Sequence, residues 1–226
     1  MSSLRTYRTT AVLTAANAAV YIAAWAQGAD IAPLSLPGNL ADALARPWAL
    51  LTYMFSHVHP WHLALNLIVL IVAGALYEYR RGHAALLATY LTGGIAGGVI
   101  FIAAATVAGS TQATLMGASA AALAVCAAIP ASIREIGPLL RTPAAIIGIV
   151  FSISLILWGL FGQNPGGNIA HLAGIAAGIA CGLFTRSAKP TAIDNSDIIN
   201  KAHTSGFASL TDDERKRLAR TYQSKN

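Results

Sequence analysis

The sequence predicts an all-α, polytopic membrane protein, with six transmembrane helices followed by a small helical tail. Only 11% of its 226 residues are charged, against about 25% in a soluble domain. The charges are also unevenly placed, because 9–29, 47–77, 82–133 and 142–185 carry none over 21, 31, 52 and 44 residues. A helix needs only about 20 apolar residues to cross the hydrocarbon core. These runs therefore exclude a soluble globular protein.

The four runs hold one, one, two and two spans, which we number 1 to 6 along the chain. Turn-forming residues divide the two longest runs, at 109–112 and at 162–167. The predicted spans are 9–27, 60–77, 84–107, 116–132, 142–160 and 168–185. Segment 34–48, before span 2, combines prolines with an amphipathic middle. We expect it to lie partly in the membrane interface, with Trp48 as an anchor.

The composition changes at Arg186: the last 41 residues, Arg186 included, hold 8 Lys and Arg and 5 Asp and Glu. We therefore predict a membrane domain of residues 1–189 and a cytoplasmic helical appendage of residues 190–226. Within the appendage Thr211 caps a helix, since Glu214 three residues later completes a capping box. A helix over 194–203 precedes it and ends at Gly206.

The basic residues predict the orientation of the chain in the membrane rather than a nucleic-acid partner. With a cytoplasmic N-terminus, the inside segments hold eight Lys and Arg residues, and the outside loops hold Arg46 alone. Lys and Arg accumulate in cytoplasmic loops. We therefore expect both termini in the cytoplasm. The sequence does not indicate an oligomeric state.

Polar groups converge at one depth of the predicted bundle. Spans 2, 4 and 6 all run from outside to inside, so their N-terminal turns share one leaflet, about 5–10 Å below its boundary at 1.5 Å per residue. Polar side chains inside a membrane are costly and are candidates for function. They are His57, His59, His62 and Asn66 at the start of span 2, Ser119 in span 4 and His171 in span 6.

This set predicts nucleophilic chemistry. A serine hydroxyl becomes a good nucleophile when a neighbouring base takes its proton, and histidine is the usual base. Ser119 and His171 are the natural pair, and glycines at 174 and 178 favour close packing of spans 4 and 6. Spans 1, 3, 4, 5 and 6 contain no acidic residue, which limits the site to a dyad. His62 and Asn66 share a helix face and can donate to a developing oxyanion, together with the Ser119 N–H.

Simpler interpretations exist for each residue taken alone. Ser119 could be a packing serine, and the histidines and Asn66 could be structural polar groups. A metal site is disfavoured because positions 57 and 59 point about 200° apart on a helix and no carboxylate or thiolate cluster joins them, so we expect neither metal nor cofactor. Glu78, beside two arginines, is expected to be an interfacial ion-pair partner.

Four segments in order resemble a known family. They are Trp48 to His57, His57-x4-His62-x3-Asn66, Gly117-Ala118-Ser119, and Ala170-His171-x-x-Gly174-xxx-Gly178. Together they are similar to the rhomboid family of intramembrane serine proteases, over roughly residues 9–185. The six-helix core with both ends inside is also that of the bacterial members.

The resemblance implies a protease that cleaves transmembrane segments of other membrane proteins without a cofactor. Ser119 would attack, with His171 as general base and then general acid, and Asn66 and His62 would line the oxyanion site. His57, Gly117 and Gly174 would support them. The site would open to the outer or periplasmic side of a bacterial plasma membrane. Segment 161–168 has the glycine and proline content of the family's substrate gate.

Two positions depart from the family pattern. Ala120 stands where a glycine commonly follows the serine, and Leu123 stands where many members carry an aromatic ring against the histidine. Two other functions stay open on the sequence: a catalytically inactive rhomboid-like protein that binds membrane proteins, and a transporter or channel. The second would predict acidic residues near the midplane, which the sequence lacks.

Overall fold

The structure is a computed structural model that describes residues 7–110, 112–132, 165–186 and 195–223. The chain divides into two compact units, one up to Arg186 and one from Ser187. The predicted boundary at residue 190 and the predicted fifth span, 142–160, lie outside the described residues. The number of six spans therefore stays a prediction.

The first unit is a bundle of apolar helices with short elements between them. In chain order these are α1 (Arg8–Gln27), β1 (Leu36–Pro37), α2 (Leu40–Ala45), α3 (Ala49–Thr52), α4 (Pro60–Arg81), α5 (His83–Val107), β2 (Thr114–Leu115), α6 (Ser119–Ser132) and α7 (Pro165–Phe184). Among the described residues, α1, α4, α5 and α7 are long and apolar enough to cross a membrane. The two short strands pair antiparallel. The predicted all-α, polytopic membrane fold is confirmed.

Helix α4 begins at Pro60, the first residue of the predicted span 2, so His57 and His59 lie before it and His62 lies inside it. Pro60 is its first residue, and His59 before it is extended, with φ −113° and ψ 139°. A proline suits the first helical position and disfavours the helical region for the residue before it. The predicted start at residue 60 is confirmed, and His57 lies in the loop before α4 rather than in its first turn. At the other end α4 continues to Arg81, where basic side chains complement the helix dipole.

Helix α6 lies at the centre of the unit and packs against α4, α5 and α7. Two adjacent glycines on α5, Gly93 and Gly94, make its contacts close. Gly93 faces α6, since a Cβ there would lie 2.1 Å from the Cβ of Ala124. Gly94 faces the loop before α4, since a Cβ there would lie 1.8 Å from the Sδ of Met54. Helix α5 therefore receives α6 on one side and the loop on the other.

The first turn of α1 is held by Glu78 of α4. This carboxylate has no exposed side-chain surface and accepts hydrogen bonds from the backbone N–H of Thr9 at 2.8 Å and of Thr10 at 2.9 Å. It also contacts Nδ1 of His83. Glu78 was expected at the interface, but it is buried and caps the N-terminal end of α1, where the helix dipole favours a negative charge.

The second unit contains α8 (Ser196–Ser205), a 3₁₀ turn (Phe207–Ser209) and α9 (Asp212–Gln223). The predicted capping box is confirmed: the N–H of Thr211 donates to Glu214 at 2.7 Å, and the N–H of Glu214 donates to the Thr211 hydroxyl at 3.3 Å. The Thr211 backbone N–H and then the Lys201 ammonium lower the pKa of Glu214. Gly206, with φ +81°, ends α8 as expected.

Candidate active site

Two helix N-terminal ends bring Ser119 and His171 together. Ser119 is the first residue of α6, and His171 lies near the start of α7. The Ser119 Oγ and the His171 Nε2 are 2.6 Å apart, within hydrogen-bond distance. Ser119 is 7% exposed and His171 is half-buried. Within the described part of the chain, Nδ1 of His171 is buried without a hydrogen-bond partner.

The short distance between these side chains depends on glycines in α7. A Cβ on Gly174 would lie 2.3 Å from the carbonyl oxygen of Ala120, and a Cβ on Gly178 would lie 2.0 Å from that of Ala124. Real Cβ atoms do not approach oxygen so closely, so the backbones of α6 and α7 touch where only glycine fits. This is the close helix contact that small residues permit in membranes.

The turn before Ser119 is also built on a glycine. Gly117 has φ +109°, a left-handed conformation that costs other residues about 1–2 kcal/mol. A Cβ there would lie 2.6 Å from Cε1 of His62. The imidazole of His62 is therefore packed directly against the residue two positions before the serine.

Two hydrogen bonds fix this turn to the loop before α4. The N–H of Gly117 donates to the carbonyl oxygen of Tyr53 at 2.8 Å, and the N–H of Ala118 donates to Nε2 of His57 at 3.4 Å. His57 is 2% exposed, and burial first, then the neighbouring His62, lower its pKa to about 4. A neutral imidazole has the free lone pair that accepting from Ala118 requires.

The amide of Asn66 is buried one helical turn after His62. Its Nδ2 donates to the carbonyl oxygen of His62 at 2.9 Å. In the described residues its Oδ1 is buried without a hydrogen-bond partner. The structure thus places His62 against the serine turn, while the Asn66 amide is bonded to its own helix. The Ser119 N–H lies in the first turn of α6 and has no intrahelical acceptor.

The neighbouring helix α5 explains how an alanine fits at position 120, where the family commonly has a glycine. A Cβ on Gly97 of α5 would lie 2.8 Å from the Cβ of Ala120, so the missing side chain of Gly97 leaves room for the methyl group. Leu123 is 1% exposed and packs inside the bundle. Neither departure from the family pattern separates Ser119 from His171.

Sequence reasoning missed Tyr53, which bonds the serine turn through its backbone. A tyrosine followed by a short loop gives no periodic signal, and Gly117, which bonds its carbonyl oxygen, is far along the chain. Segment 161–168, expected as a gate, is described only from residue 165, and there it belongs to α7. Among the described residues, no three His, Cys, Asp or Glu side chains are grouped so that they could hold a metal ion.

Comparisons with known proteins identify the family of this chain. A family model described as the Rhomboid domain matches residues 44–188, more than half of the chain. The chain belongs to the rhomboid family. The matched range contains every residue of the site described above, and it ends where the second unit of this rhomboid begins.

A curated relative of this rhomboid is the Rhomboid-like protease 2 of Toxoplasma gondii. The two are 28% identical over 172 residues, which cover 76% of this chain and 54% of the relative. The chain therefore spans about half the length of the relative it matches.

Proposed function

We propose that this rhomboid is an intramembrane serine endopeptidase that cleaves transmembrane segments of membrane-protein substrates with a Ser119–His171 dyad. The observation that carries the proposal is the 2.6 Å between the Ser119 Oγ and the His171 Nε2. Membership of the rhomboid family and the similarity to a rhomboid-like protease support it.

The first half of the reaction forms an acyl-enzyme. Nε2 of His171 takes the hydroxyl proton as the Ser119 Oγ bonds to the scissile carbonyl carbon. The carbonyl oxygen becomes an oxyanion, which the Ser119 N–H stabilises with His62 and Asn66. For Asn66 this requires the amide to turn from the carbonyl of His62 toward the substrate. When the carbon–nitrogen bond breaks, the imidazolium gives its proton to the leaving amine.

The second half releases the acyl group by the same route. Nε2 of His171 removes a proton from a water molecule, whose oxygen bonds to the acyl carbon. The Ser119 Oγ then leaves and recovers its proton from the imidazolium. No metal or cofactor takes part in either half. The reaction needs water at this depth, and the buried polar atoms of His57, Asn66 and His171 give it hydrogen-bonding sites.

We also propose the orientation of the site. The excess of Lys and Arg on one side of the predicted spans supports cytoplasmic termini. The N-terminal ends of α6 and α7 then face the outer or periplasmic side of a bacterial plasma membrane.

The direct test is labelling by a fluorophosphonate probe, together with cleavage of a transmembrane substrate in detergent and in liposomes. We expect the native chain to react and to cut, and Ser119→Ala and His171→Ala to do neither. Ser132→Ala is the matched control, because Ser132 is another buried serine of α6, bonded to its own helix. His203→Ala, in the second unit, is the histidine control.

The alternative functions predict different results. A catalytically inactive binder would retain a transmembrane protein without cutting it and without labelling. A transporter or channel would move solute across liposomes, and this flux would be independent of Ser119. Labelling that survives Ser119→Ala would also contradict the proposal.

A further inference from the structure

Tyr53 connects α5 to the turn that carries the serine. It lies in a 3₁₀ turn, Tyr53–Phe55, between α3 and α4. At 1% exposure it is one of the largest fully buried side chains in the described residues. Nothing in the reaction described above uses it.

The side-chain end of Tyr53 is fixed to α5. Its hydroxyl donates to the carbonyl oxygen of Gly94 at 2.6 Å. The ring fills a notch left by two further glycines, since a Cβ on Gly97 would lie 3.3 Å from the hydroxyl oxygen and a Cβ on Gly98 would lie 3.3 Å from Cε1 of the ring. Burial raises the pKa of Tyr53, so the hydroxyl keeps the proton that it donates.

The backbone end of Tyr53 is fixed to the serine turn. Its carbonyl oxygen accepts from the N–H of Gly117 at 2.8 Å and from the hydroxyl of Ser56 at 3.0 Å. Gly117, two residues before Ser119, has a positive φ, +109°. One residue therefore bonds α5 with its hydroxyl and the serine turn with its carbonyl.

We propose that Tyr53 is a positioning residue of the hydrolysis, which sets the place of the Ser119 hydroxyl and N–H relative to α5. This inference rests on the proposed function. Helix α5 also touches the residues next to both members of the dyad, because a Cβ on Gly97 would lie 2.8 Å from Ala120 and 3.1 Å from the carbonyl oxygen of Ala170. Through Tyr53 the serine turn is bonded to α5, the same helix against which the residues next to Ser119 and His171 pack.

The test separates positioning from stability. Tyr53→Phe keeps the buried ring and removes the hydroxyl that bonds Gly94. Tyr77→Phe is the matched control, because Tyr77 is also fully buried, and its hydroxyl lies 3.1 Å from that of Thr185, at the opposite end of α4 from His62. For each variant the active fraction is titrated with a fluorophosphonate. The rate of labelling and kcat are then expressed per titrated site, and KM is measured on the same sample. Thermal unfolding is recorded in parallel.

We expect Tyr53→Phe to lower kcat and the labelling rate per titrated site by about tenfold, because small misplacements of reacting groups are costly, with KM changed less than about twofold. Tyr77→Phe should keep native values per site, whatever its unfolding temperature. The proposal is overturned if Tyr53→Phe has native rates per site and loses only unfolding temperature or active fraction. Should Tyr53→Phe not fold, Tyr53→Met fills the notch without a donor and is judged by the same values.

A failure of the proposed function gives a different result. In that case the native chain neither labels nor cuts, or labelling survives Ser119→Ala, and the inference about Tyr53 falls with it. When the native chain reacts and Ser119→Ala does not, the comparison of Tyr53→Phe with Tyr77→Phe tests the positioning role alone.

Discussion

The carboxylate of Glu78 accepts two hydrogen bonds from Thr10, one from its backbone N–H at 2.9 Å and one from its hydroxyl at 2.6 Å. The two residues are 68 positions apart in the chain, and both are buried. The contact fixes the start of α1 to the end of α4. It follows that α1 depends on a side chain of another helix for its N-terminal cap.

Thr10→Ala should destabilise the membrane unit. The hydroxyl bond to a buried carboxylate is charge-assisted, so its loss should cost about 1.5–3 kcal/mol in the free energy of unfolding. The control is Thr9→Ala, since Thr9 is half-buried and bonds Glu78 only through its backbone. Thermal unfolding in detergent measures both. Equal unfolding temperatures for the two variants would contradict the role of the Thr10 hydroxyl.

Gly117→Ala should strongly reduce cleavage. The new methyl group would meet Cε1 of His62 at 2.6 Å and would strain a backbone with φ +109°. Displacement of the serine turn by this clash should lower kcat about a hundredfold or more. Gly109→Ala is the control, because Gly109 also has a positive φ, +65°, but open space around it. A cleavage assay that found the two variants equally active would show that the contact with His62 does not matter.

Gly97→Ala should separate the dyad without touching either member. Its methyl group would press on the Cβ of Ala120 and on the carbonyl oxygen of Ala170, the neighbours of Ser119 and His171. We expect the rate of fluorophosphonate labelling to fall about tenfold or more. Val99→Ala, on the exposed side of α5, should label at the native rate. Native labelling of Gly97→Ala would mean that α5 can move aside freely.

His57 should make the stability of the protein depend on pH. Burial first, and His62 second, hold its pKa at about 4 in the folded protein, below the usual 6.5. The unfolded chain therefore binds the proton more readily, and stability falls as the pH drops from about 6.5 to about 4. Above this window the contribution is complete, and below it no more is lost.

The measurement is the unfolding temperature between pH 7.5 and pH 4.5. His57→Gln removes the titration while its side-chain oxygen can still accept from the Ala118 N–H, so its stability should fall less toward low pH than that of the native chain. His59→Gln, at an exposed position, should keep the native slope. The assignment to His57 fails if native protein and His57→Gln lose stability in parallel.

The distribution of charge predicted the described membrane helices well, because lipid excludes unpaired charges over the length of a span. It predicted their ends less well. Glu78 ends the charge-free run 47–77, but α4 continues to Arg81, since long basic side chains extend to the interface from a helix end. The start of α4 was predicted correctly at residue 60, where a proline disfavours the helical region for the residue before it.

The meeting of Ser119 with His171 could be predicted because three spans of the same direction place their first turns at one depth. Tyr53 and Gly97 could not, because their roles depend on which neighbour fills a notch. The partner of the Tyr53 hydroxyl is 41 positions away, and no periodicity links it to the serine turn. Glu78 was misplaced for the same reason, since only the folded bundle brings the start of α1 to its carboxylate.

The two kinds of glycine contact in the bundle differ in whether a second mutation can repair the first. At Gly93 the main obstacle to a methyl group is the Cβ of Ala124 on α6, so Ala124→Gly restores the lost room. At Gly174 the obstacle is a main-chain oxygen, which no substitution removes. A pair of substitutions can therefore move a methyl group from α6 to α5 without loss of packing. The contact between α6 and α7 at Gly174 allows no such compensation, and laboratory evolution should leave this glycine unchanged.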